Sequence, residues 1–113
     1  MKIELFYFKG EEYPIIIGKD REENFAIIDE SVDTDIWFHV ENEPSCHVIL
    51  KTNTKKIRDI PLQVIKRCAY MCKINSKEKS KRTCNIIYTQ IKNVIKTEHI
   101  GEVAVSSFKT VSV

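Results

Sequence analysis

The sequence predicts an α+β fold, a mainly antiparallel sheet with two helices, formed as one domain over residues 1–113. Three observations predict it. Short runs rich in β-branched and aromatic residues recur between turn residues, beginning with Lys2-Ile3-Glu4-Leu5-Phe6-Tyr7-Phe8. One stretch after Pro61 carries apolar residues at the 3, 4 spacing of a helix face. The length suits one modest core and not two.

Residues 2–8 read as a strand, Lys9 to Glu12 as a turn, and Tyr13 to Ile17 as a second strand ended by Gly18, which together make a hairpin. Asp20 is placed to cap a short helix over residues 21–30, with Phe25, Ala26 and Ile28 turned inward. Residues 35–40 and 46–51 are strands joined by a polar loop containing Pro44. Ile60-Pro61 opens the clearest helix, with Leu62, Ile65, Cys68, Ala69 and Cys72 on one stripe, fading near Asn75. A charged loop over 76–83 leads to a strand from Cys84 to Thr89, and residues 102–106 and 109–113 are the last strands.

Several classes are set aside by composition. A hydrophobic share of 42% and a charged share of 30% are those of a folded soluble chain. No apolar run approaches the roughly 18 residues of a membrane helix, so no membrane role is expected. The first residues alternate charged and apolar and do not read as a signal peptide. Cys46, Cys68, Cys72 and Cys84 sit among apolar neighbours, which suits reduced thiols in the cytoplasm or the nucleus. Cys68 and Cys72 fall on the helix stripe without a CxxC, which favours core packing over zinc.

Net charge is only +2, but its distribution is uneven. Residues 1–50 hold four Lys/Arg against twelve Asp/Glu, and residues 51–113 hold fourteen against four. Such a split suggests a face that attracts polyanions. Lys73, Lys77, Lys79, Lys81 and Arg82 concentrate it, opposed locally by Glu78 alone. They can contact several phosphates, or form a solvated loop.

The most informative segment is Asp35-Ile36-Trp37-Phe38-His39-Val40. Alternation in a strand gives Ile36, Phe38 and Val40 one face and Asp35, Trp37 and His39 the other. If the loop over residues 41–45 closes a hairpin, His39 lies opposite His47, Trp37 opposite Ile49 and Asp35 opposite Lys51. Three readings compete for this patch. Trp37 packs under a helix while the histidines bond backbone; or an accessible indole and two imidazoles offer a platform for unpaired bases; or two His and one Asp hold a metal. Alternation favours a Trp37 at least partly accessible, because a strand in a small sheet usually buries only one side.

The same segments resemble the NFACT-R domain, the RNA-binding module of the NFACT proteins of ribosome-associated quality control. They are more similar still to the family of coiled-coil domain-containing protein twenty-five. The resemblance rests on Phe6-Tyr7-Phe8, Gly18-Lys19-Asp20 with Glu23-Asn24, the Asp35–Val40 run, His47-Val48 with Leu50, Asp59-Ile60-Pro61, Cys68-Ala69, Asn75-Ser76, Asn85, Tyr88-Thr89 and Gly101. The run departs at Ser45-Cys46-His47, where the family has Gly-Ser-His. The resemblance implies an NFACT-R-like fold and a nucleic-acid-binding surface involving Gly18, Lys19, Asn24, Asp35, Trp37, His39, Ser45 and His47, to which charge adds Lys77, Lys79, Lys81 and Arg82. The expectation is an RNA-binding module, for tRNA or ribosome-associated RNA, with DNA as a possible ligand. No catalytic residue, metal or cofactor is assigned, since no activated nucleophile, glycine-rich phosphate loop or paired carboxylates are visible. An RNA-modifying or metal-dependent enzyme on the His/Asp face, and an adaptor of the translation machinery, are the alternatives.

Overall fold

The computed structural model describes residues 1–113. Strands β1 (Lys2–Phe8) and β2 (Glu11–Ile17) form the expected hairpin, and Lys9 and Gly10 between them both have positive φ. Helix α1 (Arg21–Asp29) follows, then β3 (Ile36–Val40), β4 (Val48–Leu50), helix α2 (Leu62–Ile74), β5 (Asn85–Gln90), β6 (Val94–Lys96), β7 (Val103–Val105) and β8 (Lys109–Ser112). Every strand pair is antiparallel. The main sheet runs β1-β2-β4-β3-β5-β8, and β6 and β7 make a separate two-stranded ribbon.

The register of β3 on β4 is the one expected, with Trp37 opposite Ile49 and Ile36 opposite Leu50. Both faces of these central strands are covered. On one, α2 packs Val64, Ile65, Cys68, Ala69 and Cys72 against Ile15, Ile36, Phe38, Val48 and Ile86. On the other, Ile27 and Ile28 of α1 join Trp37, Ile49 and Ile91, flanked by Val94, Val103 and Val105 of the ribbon.

Four details differ from expectation. Leu62 of α2 is exposed, and Val64 and Met71 are buried instead. The inward face of α1 is Asn24, Ile27 and Ile28; Ala26 is exposed and Phe25 half-buried beneath the Lys96 ammonium. Residues 102–106 do not join the main sheet but contribute β7 of the ribbon. The charge split is partly consumed on folding. Glu4–Arg67, Glu11–Lys55, Asp29–Lys96 and Asp35–Lys51 each join an acid of the first half to a base of the second.

Candidate nucleic-acid interface

The segment that carries the site begins where β2 ends. Gly18 N–H donates to the His47 carbonyl at 2.9 Å. Asp20 caps α1 by accepting from Glu23 N–H at 2.8 Å, and Glu23 reaches back to Lys19 N–H at 2.9 Å, a near relative of the capping box. Asn24, one turn into α1, accepts from His47 N–H at 3.2 Å. Sheet and helix meet so closely that a Cβ on Gly18 would stand 2.3 Å from Asn24 Oδ1. Gly18→Ala is therefore expected to displace Asn24, break its bond to His47 and cost about 1–3 kcal/mol of stability. Chemical denaturation checks it; an unchanged midpoint would show that the junction has slack.

Asp35 is 1% exposed and fully occupied. It accepts from Val32 N–H at 3.1 Å, from Thr52 N–H at 3.2 Å and from Lys51 Nζ at 3.0 Å. The expected Asp35–Lys51 pairing is present, but as an internal tie between loops and not as part of a contact surface.

Trp37, His39 and His47 form one ring cluster. His39 stacks on Trp37 with centroids 5.4 Å apart and planes 13° from parallel, and His47 stands edge-on to both. Trp37 Nε1–H donates to His47 Nδ1 at 3.1 Å, so the neutral His47 ring carries its proton on Nε2. Burial, and then the neighbouring His39, lower the His47 pKa to about 3. His39 Nδ1 donates to the Val40 carbonyl at 2.6 Å, which leaves Nε2 as the acceptor of the neutral ring. Burial lowers the His39 pKa too.

The accessible-indole expectation is overturned here. Trp37 is 1% exposed and His47 2%, because α1 and the ribbon cover the face that a one-sided sheet would have left open. Neither can stack on a base in this conformation. They form the floor beneath His39, which alone of the three rings is partly open.

Two clefts adjoin above this floor. The first, of about 480 Å3, is lined by Trp37, His39 and His47, by Glu43 of the β3–β4 loop, and by Gly101 to Val103 before and within β7. The second, of about 530 Å3, is lined by Lys19, Asp20, Ser45, Cys46, Asn75, Ser76, Lys77 and Lys79. Arg21, Asn24, Pro44 and Ser45 belong to both. Ser45 Oγ accepts from Val40 N–H at 3.1 Å and donates to the Cys46 carbonyl at 2.9 Å, which fixes the loop between the clefts. Glu43 is held above the ordinary carboxylate pKa by a hydrogen bond with Glu78 and by that group's charge.

The structure thus brings Lys19, Asn24, His39, Ser45, Lys77 and Lys79 to one place. It does not bring Lys81 or Arg82 into either cleft. Lys81 pairs with Glu78 at 2.7 Å, and Lys73, buried, donates to the Arg82 carbonyl at 3.2 Å. Arg21 was missed by sequence reasoning. Its one signal is Gly101, whose φ is +83° and where a Cβ would stand 2.8 Å from the Arg21 side chain. No three His, Cys, Asp or Glu side chains converge as metal ligands.

A basic cleft beside one floored by rings suits a polyanionic ligand, and comparison with known proteins gives the class of the fold. A family model described as the NFACT protein RNA binding domain matches residues 3–109. The chain belongs to that family. It is 36% identical over 118 aligned residues to coiled-coil domain-containing protein 25 of Bos taurus, covering 96% of this chain and 57% of that one. Protein JLP2 of Saccharomyces cerevisiae is 38% identical over 104 residues, covering 86% of this chain and 50% of its own. The C-terminal part of the fibronectin/fibrinogen-binding protein of Streptococcus suis superposes with a TM-score of 0.86 at 22% identity, over 100% of this chain and 46% of that one, which speaks to the fold. The chain spans about half the length of the curated relatives it matches. Family membership supports a nucleic-acid-binding role.

Proposed function

We propose that this domain is a non-catalytic RNA-binding module that engages tRNA or ribosome-associated RNA in translation or ribosome quality control, in the cytoplasm. The observation that supports this reading best is the meeting of the two clefts at Arg21, Asn24 and Ser45. Phosphates follow Lys19, Lys77, Lys79 and Arg21, since cationic side chains around a groove track a backbone. An unpaired base enters beside His39, whose Nε2 accepts a hydrogen bond and whose ring backs onto Trp37. A cleft for an unpaired base next to a phosphate track suits looped RNA better than a regular duplex, whose bases are stacked away.

The test is a salt titration of affinity for tRNA, a single-stranded RNA and duplex DNA. Replacing Lys19, Lys77 and Lys79 by Gln is expected to flatten the salt dependence by about 0.7–0.9 per lost phosphate contact. Lys81→Gln is expected to change it little, because that ammonium is engaged by Glu78. Duplex DNA bound as tightly as RNA at equal salt would overturn the RNA assignment.

A further inference from the structure

Cys46 is the one thiol that lines either cleft, and it lies on the floor of the basic one, between Ser45 and His47. Its neighbour across the junction is Cys72, near the end of α2. Cys46 Sγ donates to the Cys72 carbonyl at 3.6 Å, and Cys72 Sγ donates to the Cys46 carbonyl at 3.7 Å. The reciprocal pair sets the two side chains against each other. Ser45 Oγ is 4.0 Å from Cys72 Sγ, so the serine that closes the β3–β4 loop is part of the same contact.

We propose that Cys46 and Cys72 are a dithiol oxidation site, converted to a disulfide by hydrogen peroxide that enters through the basic cleft. The Cys46 thiolate attacks one peroxide oxygen, and the O–O bond breaks. The departing hydroxide takes up the proton lost by Cys46 and leaves as water, and Cys46 becomes a sulfenic acid. The Cys72 sulfur then attacks the Cys46 sulfur and displaces the sulfenic oxygen. That oxygen leaves as a second water with the Cys72 thiol proton. The two sulfurs lose two electrons in all, and the peroxide is reduced to two waters.

The division of labour follows from the surroundings. The Cys72 thiol, hydrogen-bonded to Cys46, holds the Cys46 pKa below the ordinary thiol value. Cys72 itself is pushed up, first by that same bond and then by burial, so it remains the protonated partner. Cys84 is more exposed, but desolvation raises its pKa, and Cys68 is wholly buried with its pKa raised for the same reason. Reactivity follows thiolate content as well as access. Forming the S–S bond removes both S–H donors beside Ser45, whose Oγ lies 4.0 Å from Cys72 Sγ and fixes the loop between the clefts. The consequence for binding rests on the function proposed above: affinity for RNA is expected to fall about tenfold on oxidation.

The test treats the folded wild-type protein with one equivalent of peroxide near neutral pH. Thiols counted with a maleimide after denaturation are expected to fall from four to two, and peptide mapping to find Cys46 joined to Cys72. Cys72→Ala, which loses the bond that lowers the Cys46 pKa, is expected to oxidise more slowly and to stop at a Cys46 sulfenic acid that a dimedone probe traps, and Cys84→Ser to behave as wild type. Loss of the Cys84 thiol with Cys46 and Cys72 intact, or a disulfide to Cys84, would overturn the site. Equal RNA affinity of reduced and oxidised protein would overturn the coupling. A protein that forms the bond yet binds no RNA in either state would refute the RNA reading and leave the dithiol standing.

Discussion

Trp37→Ala is expected to cost about 3–5 kcal/mol, the range for emptying a large aromatic from a packed core. Trp37 is 1% exposed, held between Ile27 and Ile28 of α1 and Ile49 and Ile91, and its indole N–H satisfies His47. A domain of this size has about 5–15 kcal/mol of stability in total, so the variant is expected to melt far below wild type or not to fold. Trp37→Phe separates two contributions. It keeps most of the burial but leaves His47 Nδ1 without a donor, at an expected cost of about 1–3 kcal/mol. Calorimetry on both variants, with RNA affinity measured on the same samples, decides the matter. A Trp37→Ala protein that melts like wild type but binds poorly would restore the indole to the contact surface.

Acid is expected to unfold this protein through His47. Its folded pKa is lowered to about 3, against 6.5 for an unperturbed ring. Above that unperturbed value both folded and unfolded states hold the ring neutral, and there is no penalty. As pH falls below about 6.5, the unfolded chain takes up a proton that the folded chain refuses. Stability then drops by up to about 1.4 kcal/mol per pH unit, reaching about 4–5 kcal/mol near pH 3. His39, lowered by burial, acts in the same direction. Urea midpoints measured across this range should fall with pH, and His47→Gln should flatten the decline. A His47 resonance that titrates near its unperturbed value would refute the assignment.

What the sequence made legible was pairing and periodicity. The Trp37–Ile49 register followed from loop length and alternation, and the tie between Asp35 and Lys51 followed from the register. The stripe of α2 was legible from Ile65 to Cys72 because helical spacing repeats there over two turns. What escaped was the second cover of the sheet. Ile36-Trp37-Phe38 and Val48-Ile49-Leu50 are continuous apolar runs, the mark of strands buried on both faces. Alternation read alone assigns half of each to solvent. The cover itself is hard to read, since α1 turns a polar Asn24 inward and the ribbon strands are only three residues long. The candidate site divides along the same line. Lys77 and Lys79 converge as charge suggested, on the Lys19 that the resemblance implied, whereas the meeting of Arg21 with Gly101 is visible only after folding, because 80 residues separate them.

The strand order has a consequence for how the chain folds. β1, β2, β3 and β4 are neighbours in sequence and can pair as soon as residues 1–50 are available. β5 must then cross from the far side of α2 to dock on β3, closing a loop of more than forty residues. Contacts so distant along the chain form late, since loop-closure entropy must be met before they reward it. Until β5 and the ribbon arrive, α1 alone covers the indole face of β3. Both clefts draw on the second half of the chain, one for its β7 wall and the other for the lysines that follow α2. A half-made chain lacks both clefts, so the proposed binding surface is completed only with the second half of the sequence.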